Sequence, residues 1–149
     1  MTRSIRVHQH DKHVGSAKYL KQYTVLDKLT DGAGAIKAID TSISGRGRCA
    51  VTAAQNDIYT LYFVCDGTET KLEITTYKMT DKGKWNLWVN DVLDSSSYDD
   101  YAAAGAQVNR SITLTKTIKL GINKIELKVA SKNVSSSNYE VRITGASLQ

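Results

Sequence analysis

The sequence predicts an all-β protein, folded as a single antiparallel β-sandwich behind a basic N-terminal arm. Three observations predict it. Apolar and polar residues alternate with a period of two in segment after segment, as half-buried antiparallel strands do. Gly, Asn and Asp stand between these segments as turn residues. The 149 residues, 41% hydrophobic and 23% charged, suffice for one core, whereas two cores would both be thin.

Ser4 to His10 alternates, with Ile5 and Val7 inward. Ser16 to Leu29 reads in two ways. It is either a short helix capped by Ser16 with Tyr19, Leu20, Tyr23 and Leu26 on its face, or a strand from Tyr23 to Leu29 after a helical turn; the strand is favoured. Ile58 to Cys65 is dense in β-formers and reads as a central strand ended by Asp66-Gly67. A hairpin turning near Asn56 would set Cys49 opposite Phe63. Cys65 would then be only a diagonal neighbour, so the cysteines are expected to be buried free thiols. Leu72, Ile74 and Thr76 form the next inward face, and Trp85, Leu87 and Val89 another, which turns Trp88 outward. Ser95 to Asn109 is polar and rich in Ala and Gly, and predicts a long loop. Ser111 to Leu120 predicts a strand, with Ile112, Leu114, Ile118 and Leu120 on one face and Lys116 breaking the pattern. A turn at Gly121-Ile122-Asn123 then leads to Ile125, Leu127 and Val129. Tyr139, Val141 and Ile143 mark the last strand.

Charge divides the chain at residue 48. Residues 1–48 hold nine Lys or Arg against four Asp or Glu, a net +5, and residues 49–149 hold eleven of each. The first segment therefore reads as an arm with the first strands, and the second as the sandwich core of the same domain. Such an arm is either a surface that meets an acidic partner or a solvated basic face. No apolar run reaches the ~18 residues of a spanning helix. The two early arginines lack the apolar stretch of a secretion signal, so synthesis in a cytoplasm and no membrane partner are expected.

Catalytic constellations are not legible. The histidines, His8, His10 and His13, all lie in the arm. On a strand His8 and His10 share a face and form a weak metal candidate, set against three solvated imidazoles beside Arg6 and Lys12. Asp94, Asp99 and Asp100 crowd one polar segment, and the glycine pairs Gly32/Gly34 and Gly45/Gly47 lack a following Lys-Ser/Thr. The expectation is a protein without enzyme activity or cofactor, and without a nucleic-acid-binding module signature. Trp88, with Asn90, Tyr98 and Tyr101, suggests a sugar-stacking platform; the alternative is a tryptophan covered by a loop or a neighbouring subunit.

From about Ala50 onward the chain resembles the galactose-binding-like jelly rolls, among them carbohydrate-binding modules of glycosidases and domains of phage virion proteins. The residues are Asp57-Ile58-Tyr59-Thr60-Leu61, similar to that family's strand after a turn, and Leu87-Trp88-Val89-Asn90, similar to its "vyvNG" strand with Asp91 in place of Gly. They continue with Leu114 to Leu120 and Gly121-Ile122-Asn123-Lys124-Ile125, similar to its "L..G.N.I.l" hairpin, and close with Lys132-Asn133, Ser135 to Ser137 and Tyr139 to Ile143. The resemblance implies a jelly roll.

Two functions are expected of such a chain. A free-standing jelly roll with a basic arm fits a virion structural protein, a capsid decoration or head-fibre protein. Its Arg3, Arg6, Lys12, Arg46 and Arg48 would dock on the major capsid protein or another virion protein, and it would reside in the virion, with homo-oligomerisation open. The other function is a lectin-like module binding a cell-surface glycan through Trp88, Asn90, Tyr98 and Tyr101.

Overall fold

A computed structural model describes residues 23–37, 50–52 and 54–149. Arg3, Arg6, Lys12, Arg46, Arg48, His8, His10, His13 and Cys49, with the first predicted strand and the helical turn, lie outside the described residues.

Among the described residues ten antiparallel strands form two sheets. They are β1 (Tyr23–Thr30), β2 (Ile36–Lys37), β3 (Ala50–Thr52), β4 (Ile58–Asp66), β5 (Lys71–Lys78), β6 (Gly83–Val89), β7 (Val92–Asp99), β8 (Ala106–Thr113), β9 (Leu120–Lys132) and β10 (Val141–Leu148). The six-stranded sheet runs β2-β1-β4-β9-β6-β7 and the four-stranded sheet β3-β10-β5-β8. The inner faces pack Phe63, Leu72, Ile74, Trp85, Leu87, Ile125, Leu127 and Val141, each at most 2% exposed. These are the residues that the period of two sets inward, and their burial from water is the main stabilising term. The all-β sandwich predicted by the sequence is the fold of the chain.

Three expectations are corrected. Strands β3 and β4 do not form a hairpin: β3 pairs with β10 in one sheet and β4 with β1 and β9 in the other. The turn at Asn56 (φ 71°) is present, but it carries the chain across the sandwich. Asp57 fixes that crossing, its buried carboxylate accepting from Ala54 N (3.1 Å) and Lys37 Nζ (2.6 Å). Next, the expected loop over 95–109 is mostly strand. Among the described residues β7 and β8 are the last strands of their sheets, each paired on one side, so a polar, serine-rich sequence replaces the apolar signal. Only Asp100 to Gly105 connects them. Finally, the strand expected over 111–120 stops at Thr113, and Gly121-Ile122-Asn123 is not a turn but the start of the 13-residue β9. Asn123 is the reason: wholly buried, it accepts from Lys119 N and donates to Lys119 O and Gly121 O. The bend is thereby held before β9.

Candidate functional site

On β6, Trp85, Leu87 and Val89 point inward and Lys84, Asn86 and Trp88 outward, as their alternating burial shows. On β9 the outward residues are Ile122, Lys124, Glu126 and Lys128, and on β4 they include Thr60, Tyr62 and Val64. Register assembles them across the outer face of the six-stranded sheet. Trp88 stands opposite Leu93 of β7 and Glu126 of β9, Glu126 opposite Thr60, and Lys124 opposite Tyr62.

Trp88 is half-buried, and its indole Nε1 is shielded without a hydrogen-bond acceptor. Beside it Glu126 is 8% exposed, and its Oε2 likewise lacks a hydrogen-bond donor in bonding geometry. The Lys128 ammonium lies over both, 4.2 Å from the Trp88 ring centroid and 3.2 Å from Glu126 Oε2, while Lys124 lies 3.6 Å from Glu126 Oε1. The unmade bond on the shielded Trp88 donor costs about 1–3 kcal/mol, and Glu126 Oε2, met by Lys128 as an ion pair, still has a lone pair to accept with. A hydroxyl group, which donates and accepts at once, is the chemistry that satisfies both.

The other residues expected beside Trp88 are elsewhere. Asn90 is part of the β6–β7 turn: its side chain donates to Asn123 Oδ1 (2.9 Å) and accepts from Lys124 N (2.9 Å). Two of the sequence motifs that carry the resemblance, the one ending in Val89-Asn90 and the one opening with Gly121-Ile122-Asn123, thus meet at one hydrogen bond that holds the fold. Tyr98 faces inward and stacks on Trp85, with centroids 4.4 Å apart at 26°. The cause is local. The β6–β7 register shifts twice, between Trp85 and Leu87 and between Leu87 and Trp88, and Ser97 takes φ 64°. Each extra residue reverses the parity of the strand beyond it, so the two together restore it: Tyr98 keeps the inward side and is moved from opposite Gly83 to opposite Trp85, where it can stack. Tyr101 lies at the loop end, bridged to Met79 and held by Asp99. The structure therefore does not bring Trp88, Asn90, Tyr98 and Tyr101 into one platform. The neighbours it gives Trp88 instead, Lys128, Glu126 and Leu93, have the right parity in the sequence. Nothing in the sequence, however, places β9 beside β6.

The acids of the 94–100 segment are all engaged. Asp94 accepts from Thr115 N (2.7 Å) and Lys116 N (2.8 Å), pinning the β8–β9 connection. Asp99 accepts from Asn133 (2.8 Å) and Tyr101 N (2.9 Å); burial works to raise its pKa, but these bonds and Lys84 hold it below the ordinary value. Asp100, wholly buried, accepts from Trp85 Nε1 (2.9 Å), Thr76 Oγ1 (3.1 Å) and Arg110 Nη2 (2.5 Å). Burial pushes the Asp100 carboxyl up against the pull of Arg110. Among the described residues no three His, Cys, Asp or Glu side chains cluster as metal ligands do.

No family model matches the chain, and no curated protein matches it in sequence. Solved structures match its fold. Over 83% of its length the chain is similar to the CBM36-1 domain of a multidomain xylanase from the hindgut metagenome of Trinervitermes trinervoides, with TM-score 0.53 and 11% identity, covering 97% of that chain. Over the same share it is similar to part of a Paenibacillus xanthan lyase (TM-score 0.54, 22% identity), covering 11% of that chain. It is also similar to part of the Podospora anserina GH26-CBM35 β-(1,4)-mannanase (TM-score 0.50, 15% identity), covering 27% of that chain. At these identities the likeness concerns the fold, and the fold is the jelly-roll β-sandwich seen in carbohydrate-binding modules.

Proposed function

We propose that the protein is a non-catalytic carbohydrate-binding module whose ligand lies on the outer face of the six-stranded sheet, centred on Trp88. The observation that carries this reading is the pairing of Trp88 Nε1, a shielded donor without an acceptor, with Glu126 Oε2, which meets Lys128 as an ion pair but receives no well-aligned hydrogen bond. The fold match over 83% of the chain to a carbohydrate-binding module supports it. A pyranose presents an apolar C–H face to an aromatic ring and hydroxyls at its rim, so one sugar meets both demands. Lys128, on its flexible stem, swings off the ring as the sugar arrives, and its ammonium then donates to the hydroxyls. The non-catalytic reading is supported by the engagement of Asp94, Asp99 and Asp100 in structural bonds.

A glycan-array screen of the purified protein tests the proposal. Specific binding that is lost in Trp88→Ala, with the melting temperature kept, is the expected result. Binding that survives Trp88→Ala unchanged would move the site elsewhere.

A second reading, attachment to a larger assembly such as a virion shell, rests on the net +5 of residues 1–48. It puts the protein in the virion and makes Arg3, Arg6, Lys12, Arg46 and Arg48 the docking residues. Replacing Arg3, Arg6 and Lys12 with Glu would then abolish attachment and leave the fold intact, whereas undiminished attachment would sink it.

A further inference from the structure

Resting on the reading of the Trp88 face as a glycan site, we propose that its ligand is an extended linear glycan of at least trisaccharide length. The chain would lie across the strands from Trp88 on β6 to Tyr62 on β4. Trp88 is opposite Glu126, Glu126 is opposite Thr60, and Tyr62 stands two residues further along β4, opposite Lys124. With strands about 4.8 Å apart and about 3.4 Å of rise per residue, two strands and two residues separate the two positions by roughly 12 Å. A pyranose advances an extended chain by about one strand spacing. A single sugar or a disaccharide therefore covers one ring, and both rings are met only by a longer chain.

The ground between the rings is polar and low. Thr60 is short and 1% exposed, and forms the floor. Glu126 and Lys124, 3.6 Å apart, supply an acceptor and a donor to the sugar that bridges the rings. Beyond Tyr62, Val64 and Ile122 are opposite each other and exposed, continuing an apolar track along the same face. The rival location, a shallow cleft of about 200 Å³ between the β4–β5 and β8–β9 connections, has no aromatic ring in its lining. Its buried carboxylate, Glu69, already accepts from Asp66 N (3.2 Å) and Gly67 N (3.1 Å).

Titration calorimetry with mono- to hexasaccharides of the β-1,4-linked gluco, manno and xylo series tests the inference. In the series that binds, affinity is expected to rise about tenfold or more between disaccharide and tetrasaccharide. Tyr62→Ala should remove that rise while leaving the weak binding of short sugars, and Tyr62→Phe should keep it. Affinity that is independent of chain length, yet abolished by Trp88→Ala, would overturn this inference and leave the Trp88 site standing. Length dependence unchanged in Tyr62→Ala would overturn it too. Absence of binding to these series and to the wider glycan array would overturn both.

Discussion

Asp100 and Cys65 show what single buried groups contribute. Asp100 joins the two sheets, since Trp85 belongs to β6 and Thr76 and Arg110 to β5 and β8. Asp100→Asn keeps an acceptor for the indole but leaves the Arg110 guanidinium, 15% exposed, without its counter-ion. A loss of roughly 3–5 kcal/mol in urea unfolding is expected, and a loss below 1 kcal/mol would show that the ion pair contributes little. The Cys65 thiol, buried on β4, is pushed from 9.0 up to about 11 by burial, with the Glu69 charge adding and an Asn123 hydrogen bond opposing. The unfolded chain then ionises first, so this share of stability is whole below pH 9 and is lost as pH rises towards 11. Two pKa units correspond to ~2–3 kcal/mol. Unfolding across that range should show a steeper decline in the wild type than in Cys65→Ala, and equal slopes would contradict the assignment. At this scale the sequence was informative where parity alone decides: Trp85 inward and Trp88 outward follow from alternation. Asp100 was not legible as a sheet-bridging residue, because its partners lie 10 to 24 positions away on three strands.

The β6–β7 hairpin sets the limits of local reading at the scale of elements. Its two turn residues, Asn90 (φ 48°) and Asp91 (φ 70°), both adopt the left-handed conformation that two-residue hairpin loops require. Glycine bears this more easily than aspartate at the second position. The Asp91–Lys124 ion pair, which holds the Asp91 carboxyl below its ordinary range, is exposed to solvent. Asp91→Gly is therefore expected to raise stability by up to ~1 kcal/mol, and Asp91→Val to lower it by ~1–2 kcal/mol, in thermal melts. A glycine variant that melts well below the wild type would assign the turn's stability to the Lys124 contact instead. The strand running to Asn90 was legible, but its return as β7 was not; neither were the two register shifts in β7, which set Tyr98 opposite Trp85. Polar strands such as β7 and β8 escape a reading based on hydrophobic period, because a strand paired on one side need bury only part of one face.

For the molecule as a whole, the class of fold was legible because burial on the inner faces imposes a period of two on nearly every strand of the core. The strand order was not. β4 and β6 meet only through β9, which comes much later in the chain, and no local signal announces that neighbour. The candidate site depends on this step, since Trp88, Glu126, Lys128 and Tyr62 come from three strands that only the topology makes adjacent. The same topology explains why Asn90 and Asn123, so prominent in the resemblance, serve the fold: they join the β6–β7 turn to the start of β9. A map of amide and indole NMR shifts, recorded as the protein is titrated with an oligosaccharide that it binds, locates the site directly. The Trp88 indole N–H, Glu126, Lys128 and Tyr62 are expected to move together while the Trp85 indole, held by Asp100, stays in place. Shifts confined to the loop ends around Tyr101 or Lys116 would contradict that placement.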